Sequence, residues 1–368
     1  MSVIFLKPAN CWLIAQVNSI ILYLCKKINI CLRKEATHVS EVLVDGSDSF
    51  LGRAVVDALI KDNATIRALV MRDDPLASML PPSVDIVYGD VCDDQSLKSF
   101  FSGADHETCV IHMAGIVSVA SNPGMQLYRV NVNGTNNILT HCERCHVGKL
   151  IYVSSVHAIP EKQKGTMITE EAPFSPNCVE GDYAKSKAMA TSLVLHAAEN
   201  GLDASVVFPS GIIGPGDSGN GSITHMLSSF IAGRLPVAVK GGYDFVDVRD
   251  VASGIVDCAH YGLSGKGYIL SGHYASVREI LEAAKRATGV KRKVLYLPMR
   301  LAKAIAPIYE RWSIRKHYPL FFTPYAIAVL NSNGHFDRTA AARTLGYEPR
   351  TLQSSINDMV LWIKASLN

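Results

Sequence analysis

Val44-Asp45-Gly46-Ser47-Asp48-Ser49-Phe50-Leu51-Gly52 ends a short β-rich run, Glu41–Asp45, and opens a segment of helical periodicity, Phe50–Lys61. Gly46 can take the tight turn, and Gly52 lets the helix pack closely on the strand. At the helix start the N–H groups around Phe50 and Leu51 and the positive end of the dipole offer a seat for a pyrophosphate. The middle position of such a turn is normally glycine, so that backbone can approach the phosphates; here it is Ser49. Serine at a helix start is also a plain N-cap, so an ordinary capped turn is the competing reading.

Outward from this turn the chain alternates. Thr65–Val70, Val84–Tyr88, Thr108–Met113, Leu150–Val153 and Ala204–Phe208 read as strands. Gln95–Phe101, Met125–His141 and Tyr183–Glu199 read as helices. Strands alternating with helices imply a parallel sheet covered on both faces. The turns at Gly46, Asp90, Ala114-Gly115, Ser154-Ser155 and Pro209-Ser210 all follow strands, where such sheets bind ligands.

Tyr183-Ala-Lys-Ser-Lys187 adds chemistry to that scaffold. Four residues apart on a helix, the phenol and the ammonium share one face. A nearby cation favours the phenolate and lets tyrosine trade protons near neutral pH. The spacing alone is common by chance; its weight comes from the glycine turn and the Ser154-Ser155 strand end that precede it.

Composition narrows the rest. A chain of 368 residues with net charge +3 allows one large α/β domain or two modest ones, and has no basic run that suits nucleic acid. Nine cysteines lack a disulfide framework and favour a reducing, cytoplasmic compartment. Cys142-Glu-Arg-Cys145-His146 spells a haem-attachment pattern, but it lies on a helix running into a core strand, and no second pair is spaced for zinc. Residues 1–34 are apolar, densest from Cys11 to Cys25, interrupted by Gln16, Asn18 and Ser19 and followed by Lys26, Lys27, Arg33 and Lys34. This extension (1–40) reads either as a loose segment, as a membrane-associated one that keeps the body on the cytoplasmic side, or as a cleaved leader.

Nucleotide choice is read after the second strand, where an acid grips ribose hydroxyls and an arginine accepts an extra phosphate. Arg72 favours NADP(H), while Asp73 beside it can serve NAD(H) in a register shifted by one.

With these residues in place, the chain resembles the extended short-chain dehydrogenase/reductase family, in the branch of dihydroflavonol-4-reductase-like and 3β-hydroxysteroid dehydrogenase-like proteins. The resemblance runs from about Glu41 to the C-terminus, through Gly89-Asp90-Val91, His112-Met113-Ala114-Gly115, Asn131-Val-Asn133-Gly134-Thr135, Tyr152-Val-Ser154-Ser155, Gly214-Pro215-Gly216-Asp217 and Leu345-Gly346-Tyr347. It implies a Rossmann-type doubly wound sheet over 41–210 plus about 244–272, with a smaller, mostly helical substrate-binding part over 211–243 plus about 273–368. It implies that Gly46, Ser49, Phe50, Leu51, Gly52, Arg72, Asp90, Val91, Ala114, Gly115, Lys187, Pro209 and Ser210 hold the nucleotide. It also implies that Ser155, with Ser154 as fallback, joins Tyr183 and Lys187 in catalysis, and that the protein is a homodimer.

Two departures redirect that resemblance. Ser49 stands where the phosphates want bare backbone. Ser154-Ser155-Val-His157 lacks the tyrosine-glycine pair that follows this serine in nucleotide-sugar epimerases and dehydratases, which shifts the expected substrate to an apolar carbonyl or alcohol. A sugar-nucleotide epimerase or dehydratase with bound NAD is the enzyme alternative; a non-catalytic nucleotide sensor is the other. Asn131 and Asn133 either reach the site or cap helices. Asp247–Ala252 is expected to return to the sheet, Lys266–Ser271 to be a late strand, and Ser118–Gln126 to form a lid. Leu297–Trp312 and Tyr318–Leu330 read as the core of the second part or as a greasy cleft lining.

Overall fold

The structure, a computed structural model, describes residues 41–171, 173–217, 221–318 and 320–366. The readings of the 1–40 extension lie outside these residues. Twelve strands occur among them: β1 Glu41–Asp45, β2 Thr65–Val70, β3 Asp85–Tyr88, β4 Thr108–His112, β5 Lys149–Val153, β6 Ala204–Pro209, β7 Gly211–Ile213, β8 Val237–Val239, β9 Gly242–Asp247, β10 Gly267–Leu270, β11 His273–Ser276 and β12 Leu295–Leu297.

Seven of them form one sheet in the order β10-β6-β5-β4-β1-β2-β3. Every neighbouring pair is parallel. This is the Rossmann-type, doubly wound sheet expected from the alternation. Successive residues of a strand feed opposite layers: Leu43 and Val110 pack in one core, Val42, Val44, Cys109 and Ile111 in the other. Burial on both faces is why these strands read as continuous apolar runs. The strand order reverses between β1 and β4, and the crevice beyond their carboxyl ends is the ligand position of such sheets. Gly46 and Ala114 sit there, after strands paired at Val44 and Ile111.

Two expectations change. The expected helix Met125–His141 is three pieces: Met125–Tyr128, a π-helical stretch Arg129–Gly134, and Thr135–Cys145. The π stretch turns Asn131 inward, a common device at functional sites. Asp247–Ala252 does not join the large sheet. Asp247 ends β9 in a three-stranded sheet β11-β9-β7 and caps helix Val248–Tyr261 by accepting from Arg249 N at 3.0 Å. Val251, Ala252 and Ile255 then pack inward from that helix, so the apolar pattern belonged to a helical face rather than a strand.

From Gly211 on, the described chain adds the β12-β8 pair and helices Ser222–Ile231, Val277–Thr288, Met299–Lys316, Pro324–Val329, Thr339–Leu345 and Leu352–Ser366, while β10 rejoins the large sheet. Cys142 lies in the core and His146 ends its helix in a left-handed turn. No group of metal-ligating side chains occurs among the described residues, and no described helix is long and apolar enough to cross a membrane.

Candidate active site

Gly46 has φ +62°, and a Cβ there would come within 2.9 Å of Ala114 N. The turn after β1 therefore lies directly against the backbone after β4, and only glycine fits. Ser49 is the N-cap: its Oγ accepts from Gly52 N at 3.0 Å and donates to Gly46 O at 2.7 Å. The side chain that replaces glycine is thus folded back onto its own turn. Among the described residues Phe50 N and Leu51 N carry no backbone partner, as expected for the first turn of a helix. Ser47 Oγ is buried without a hydrogen-bond partner among the described residues. Free donors and an orphaned hydroxyl at one helix start fit an oxygen-rich anion such as the pyrophosphate of a dinucleotide.

Charge at the edge of the turn was not legible in the sequence. Asp48 has Asp74 as a neighbouring carboxylate, and burial and that second acid push its pKa up to about 6. Arg53 partly offsets it, bonding Asp48 O and, at 2.8 Å, Gly216 O. Arg72 and Asp73 are exposed beyond β2. Asp90 orders its own turn, accepting from Cys92 N at 2.8 Å, and Val91 is buried against Gly134.

Ser155, Tyr183 and Lys187 converge. The two serines part company: Ser154 Oγ is bonded to Thr191 Oγ1 at 2.7 Å, inside the packing, whereas Ser155 Oγ accepts from His157 N at 3.3 Å and stands close enough to the Tyr183 phenol to lower its pKa. Burial pushes Tyr183 up to about 12, with Ser155 pulling it down. Lys187 does not act on it as the spacing suggested. Its Nζ donates to Val153 O at 2.9 Å and to Tyr152 Oη at 3.4 Å. Burial holds its pKa down to about 8, and Asp45 works against that drop.

Behind Lys187 a chain of buried polar groups crosses the sheet. Tyr152 stacks on His112 at 5.4 Å, Thr135 Oγ1 lies 2.8 Å from His112 Nε2, and His112 Nδ1 lies 2.6 Å from Asp45 Oδ2. Asp45 Oδ1 accepts from Met113 N at 2.7 Å and Ala114 N at 2.6 Å. Asp45 was not picked out from the sequence. A carboxylate inside the first strand of a dinucleotide turn, one residue before glycine, was the available signal.

In front of Tyr183 the surface is aromatic. His157 lies 6.0 Å from the Tyr183 ring, stacks on Tyr243 at 5.5 Å and meets Tyr325 at 6.0 Å. Burial keeps His157 neutral, with its pKa lowered to about 4. Tyr325 seats against Gly181, φ +90°, where a Cβ would come 2.4 Å from its ring. Tyr325 Oη is buried and unpartnered among the described residues. Tyr325 lies in the Tyr318–Leu330 stretch that the sequence offered as core or cleft lining; His157 and Tyr243 were not picked out as site residues.

Asn131 ties the site's edge together, accepting from Ile116 N at 2.7 Å and donating to Ser186 Oγ at 3.0 Å, whereas Asn133 is exposed. Gly115 is exposed beside Lys187, whose Nζ is 3.4 Å from the place a Cβ would take. Pro209 ends β6, and the Ser210 hydroxyl is committed to Asp244 at 2.5 Å, which leaves the Ser210 backbone rather than its side chain for a ligand.

A model of the NAD dependent epimerase/dehydratase family matches residues 42–270. The chain belongs to this family. It is an oxidoreductase of that superfamily, in the extended short-chain dehydrogenase/reductase branch. It is 29% identical over 327 residues to sterol demethylase protein B of Methylococcus capsulatus, covering 88% of this chain and 98% of the relative. It is 26% identical over 331 residues to a 3 beta-hydroxysteroid dehydrogenase/Delta 5-->4-isomerase of Mycobacterium tuberculosis, covering 85% and 87%. Among solved structures, gox2253 superposes with TM-score 0.77 at 26% identity over 89% of this chain and 98% of that one. A UDP-glucose 4-epimerase of Thermotoga maritima superposes with TM-score 0.72 at 21% identity over 89% and 100%, and shows the fold alone.

Proposed function

We propose that the protein interconverts a ketone and a secondary alcohol on an apolar, ring-bearing substrate of steroid or flavonoid kind. The observation that carries this reading is the aromatic wall of His157, Tyr243 and Tyr325 beside Tyr183, with Ser155 next to the phenol. Flat rings suit a flat, ring-bearing substrate. The printed activities of the sterol demethylase and hydroxysteroid dehydrogenase relatives point the same way.

Ser155 donates to the substrate oxygen and fixes its position. Tyr183, a neutral phenol at pH 7 because burial raises it, gives its proton to that oxygen as charge develops. A nicotinamide nucleotide, when bound, supplies or accepts the hydride at the carbonyl carbon. Lys187 is the cation beside Gly115 and the Ala114 turn, placed to hold a ribose hydroxyl. In the reverse direction Tyr183 takes the alcohol proton.

The nucleotide follows from charge. Arg72 offers an exposed cation for the 2′-phosphate of NADP(H). The Asp48–Asp74 pair opposes that phosphate and suits the free ribose hydroxyls of NAD(H). The two carboxylates, offset only in part by Arg53, favour NAD(H), the reverse of what the exposed Arg72 alone suggests. Fluorescence titration with NADH and NADPH tests this: tighter NADH is expected, and tighter NADPH returns the role to Arg72. Turnover is then assayed with cyclic ketones and the matching alcohols. A homodimer on the cytoplasmic side belongs to this reading through the family resemblance, and light scattering reads the oligomer.

A further inference from the structure

Helix Met299–Lys316 leaves an apolar stripe in water. Leu301, Ile305, Ile308 and Trp312 are 46, 38, 69 and 47% exposed. Their spacing of four, three and four puts them in one line along the helix. The helix already has a buried side, Ala302, Ala306, Glu310 and Ser313. The stripe is therefore a second apolar face, of the kind that marks an interaction surface. Leu295 before the helix and Ile314 and Tyr318 at its end are exposed as well.

Charge identifies the occupant. Arg300, Lys303, Arg311, Arg315 and Lys316 are exposed on the same helix, and none is ion-paired among the described residues. Its one acid, Glu310, is buried, with its oxygens taken by Ser121 N and Ser121 Oγ at 2.8 Å each. The solvent side is thus basic without an acid. Two copies meeting through this face would set like charges on each other, which disfavours self-pairing. An apolar stripe with a tryptophan beside a basic band suits a surface of anionic lipid headgroups over acyl chains.

We propose that helix Met299–Lys316 lies in the plane of an anionic membrane surface with its Leu301–Trp312 stripe inserted. The helix is joined to the site. Glu310 holds Ser121, and Thr323 Oγ1 donates to Val119 O at 2.6 Å, both on the loop that follows Gly115. Val117 on that loop and Met125 at its end are exposed too, and Tyr325 of the next helix stands before Tyr183. An apolar substrate then reaches Tyr183 from the bilayer; this last step rests on the proposed function, whereas the docking does not.

The test is flotation of the full chain with phosphatidylcholine vesicles with and without phosphatidylserine. The wild type is expected to float with the anionic vesicles, less so as salt rises. The pair Ile308→Glu, Trp312→Glu and the pair Arg311→Glu, Arg315→Glu are each expected to weaken binding about tenfold or more, with NADH affinity and circular dichroism unchanged. Flotation of both variants like the wild type places binding elsewhere, in residues 1–34 for instance, and overturns the proposal. So does a wild type that stays with buffer, or one whose dimer the first variant splits without lipid. Docking that is confirmed while cyclic ketones are not turned over leaves the membrane surface standing and removes the substrate reading alone.

Discussion

Tyr183 and Lys187 leave one helix a single turn apart and enter opposite surroundings. Tyr183 faces rings, His157, Tyr243 and Tyr325, with Ser155 close enough to lower its pKa. Lys187 faces backbone and the polar cluster of Tyr152, His112, Thr135 and Asp45. Both are buried, and burial acts on them in opposite senses: the acid goes up to about 12 and the base comes down to about 8. Each is thereby biased to its neutral form, and only Lys187 has a carboxylate, Asp45, to resist that bias. The pair is a division of labour, one group trading the proton and the other carrying a charge that the interior must be persuaded to keep.

The largest expected effect falls on the aromatic side. Tyr183→Phe should lower kcat by about 1,000-fold while NADH affinity stays put, because the ring packing survives and only the proton donor goes. Loss of nucleotide affinity in parallel would place Tyr183 in binding instead. On the polar side Asp45→Asn should cost about 3 kcal/mol in urea unfolding, since it strips a buried partner from His112. It should also move the alkaline limb of kcat/KM. The Lys187 ammonium is present below about pH 8 and lost above it, so wild-type activity falls as pH passes about 8. Asp45 raises that value, so its removal shifts the limb to lower pH; an unmoved limb breaks the comparison.

A smaller effect is expected at Tyr325→Ala. Removing a ring from the wall should raise KM for an apolar ketone about tenfold and leave kcat near its wild-type value. The smallest concerns the turn. Asp48 loses its proton near pH 6, so the ratio of NADPH to NADH affinity should fall as pH rises through about 6. Asp48→Asn should flatten that dependence by a few-fold, measured by fluorescence titration across pH.

The two sides also differ in how far the sequence revealed them. The parallel sheet, the turns that follow its strands, and the positions of Gly46, Tyr183 and Lys187 followed from local patterns: apolar runs bounded by turns, a capped helix start, a four-residue spacing; the choice of Ser155 over Ser154 came from the family resemblance. The aromatic wall was legible only as the Tyr318–Leu330 stretch around Tyr325, because His157, Tyr243 and Tyr325 meet through folding of segments far apart in the chain. The direction of Lys187 was hidden for a related reason. Spacing put its ammonium beside the phenol, but Val153 O and Tyr152 compete for it across the strand. Ser49 shows the converse: a residue that looked disruptive turns its hydroxyl onto Gly46 O and Gly52 N and leaves the turn intact. At Asp247 a cap was read as a strand, since alternating Val246, Val248 and Val251 satisfy either period over so short a run.

The most direct measurement is kcat/KM of the purified full chain for an apolar cyclic ketone with added NADH, set beside its activity on UDP-glucose without added nucleotide. The account predicts ketone turnover that requires added nucleotide and no conversion of the sugar. Conversion of UDP-glucose by nucleotide that co-purifies with the protein, with cyclic ketones untouched, would contradict it.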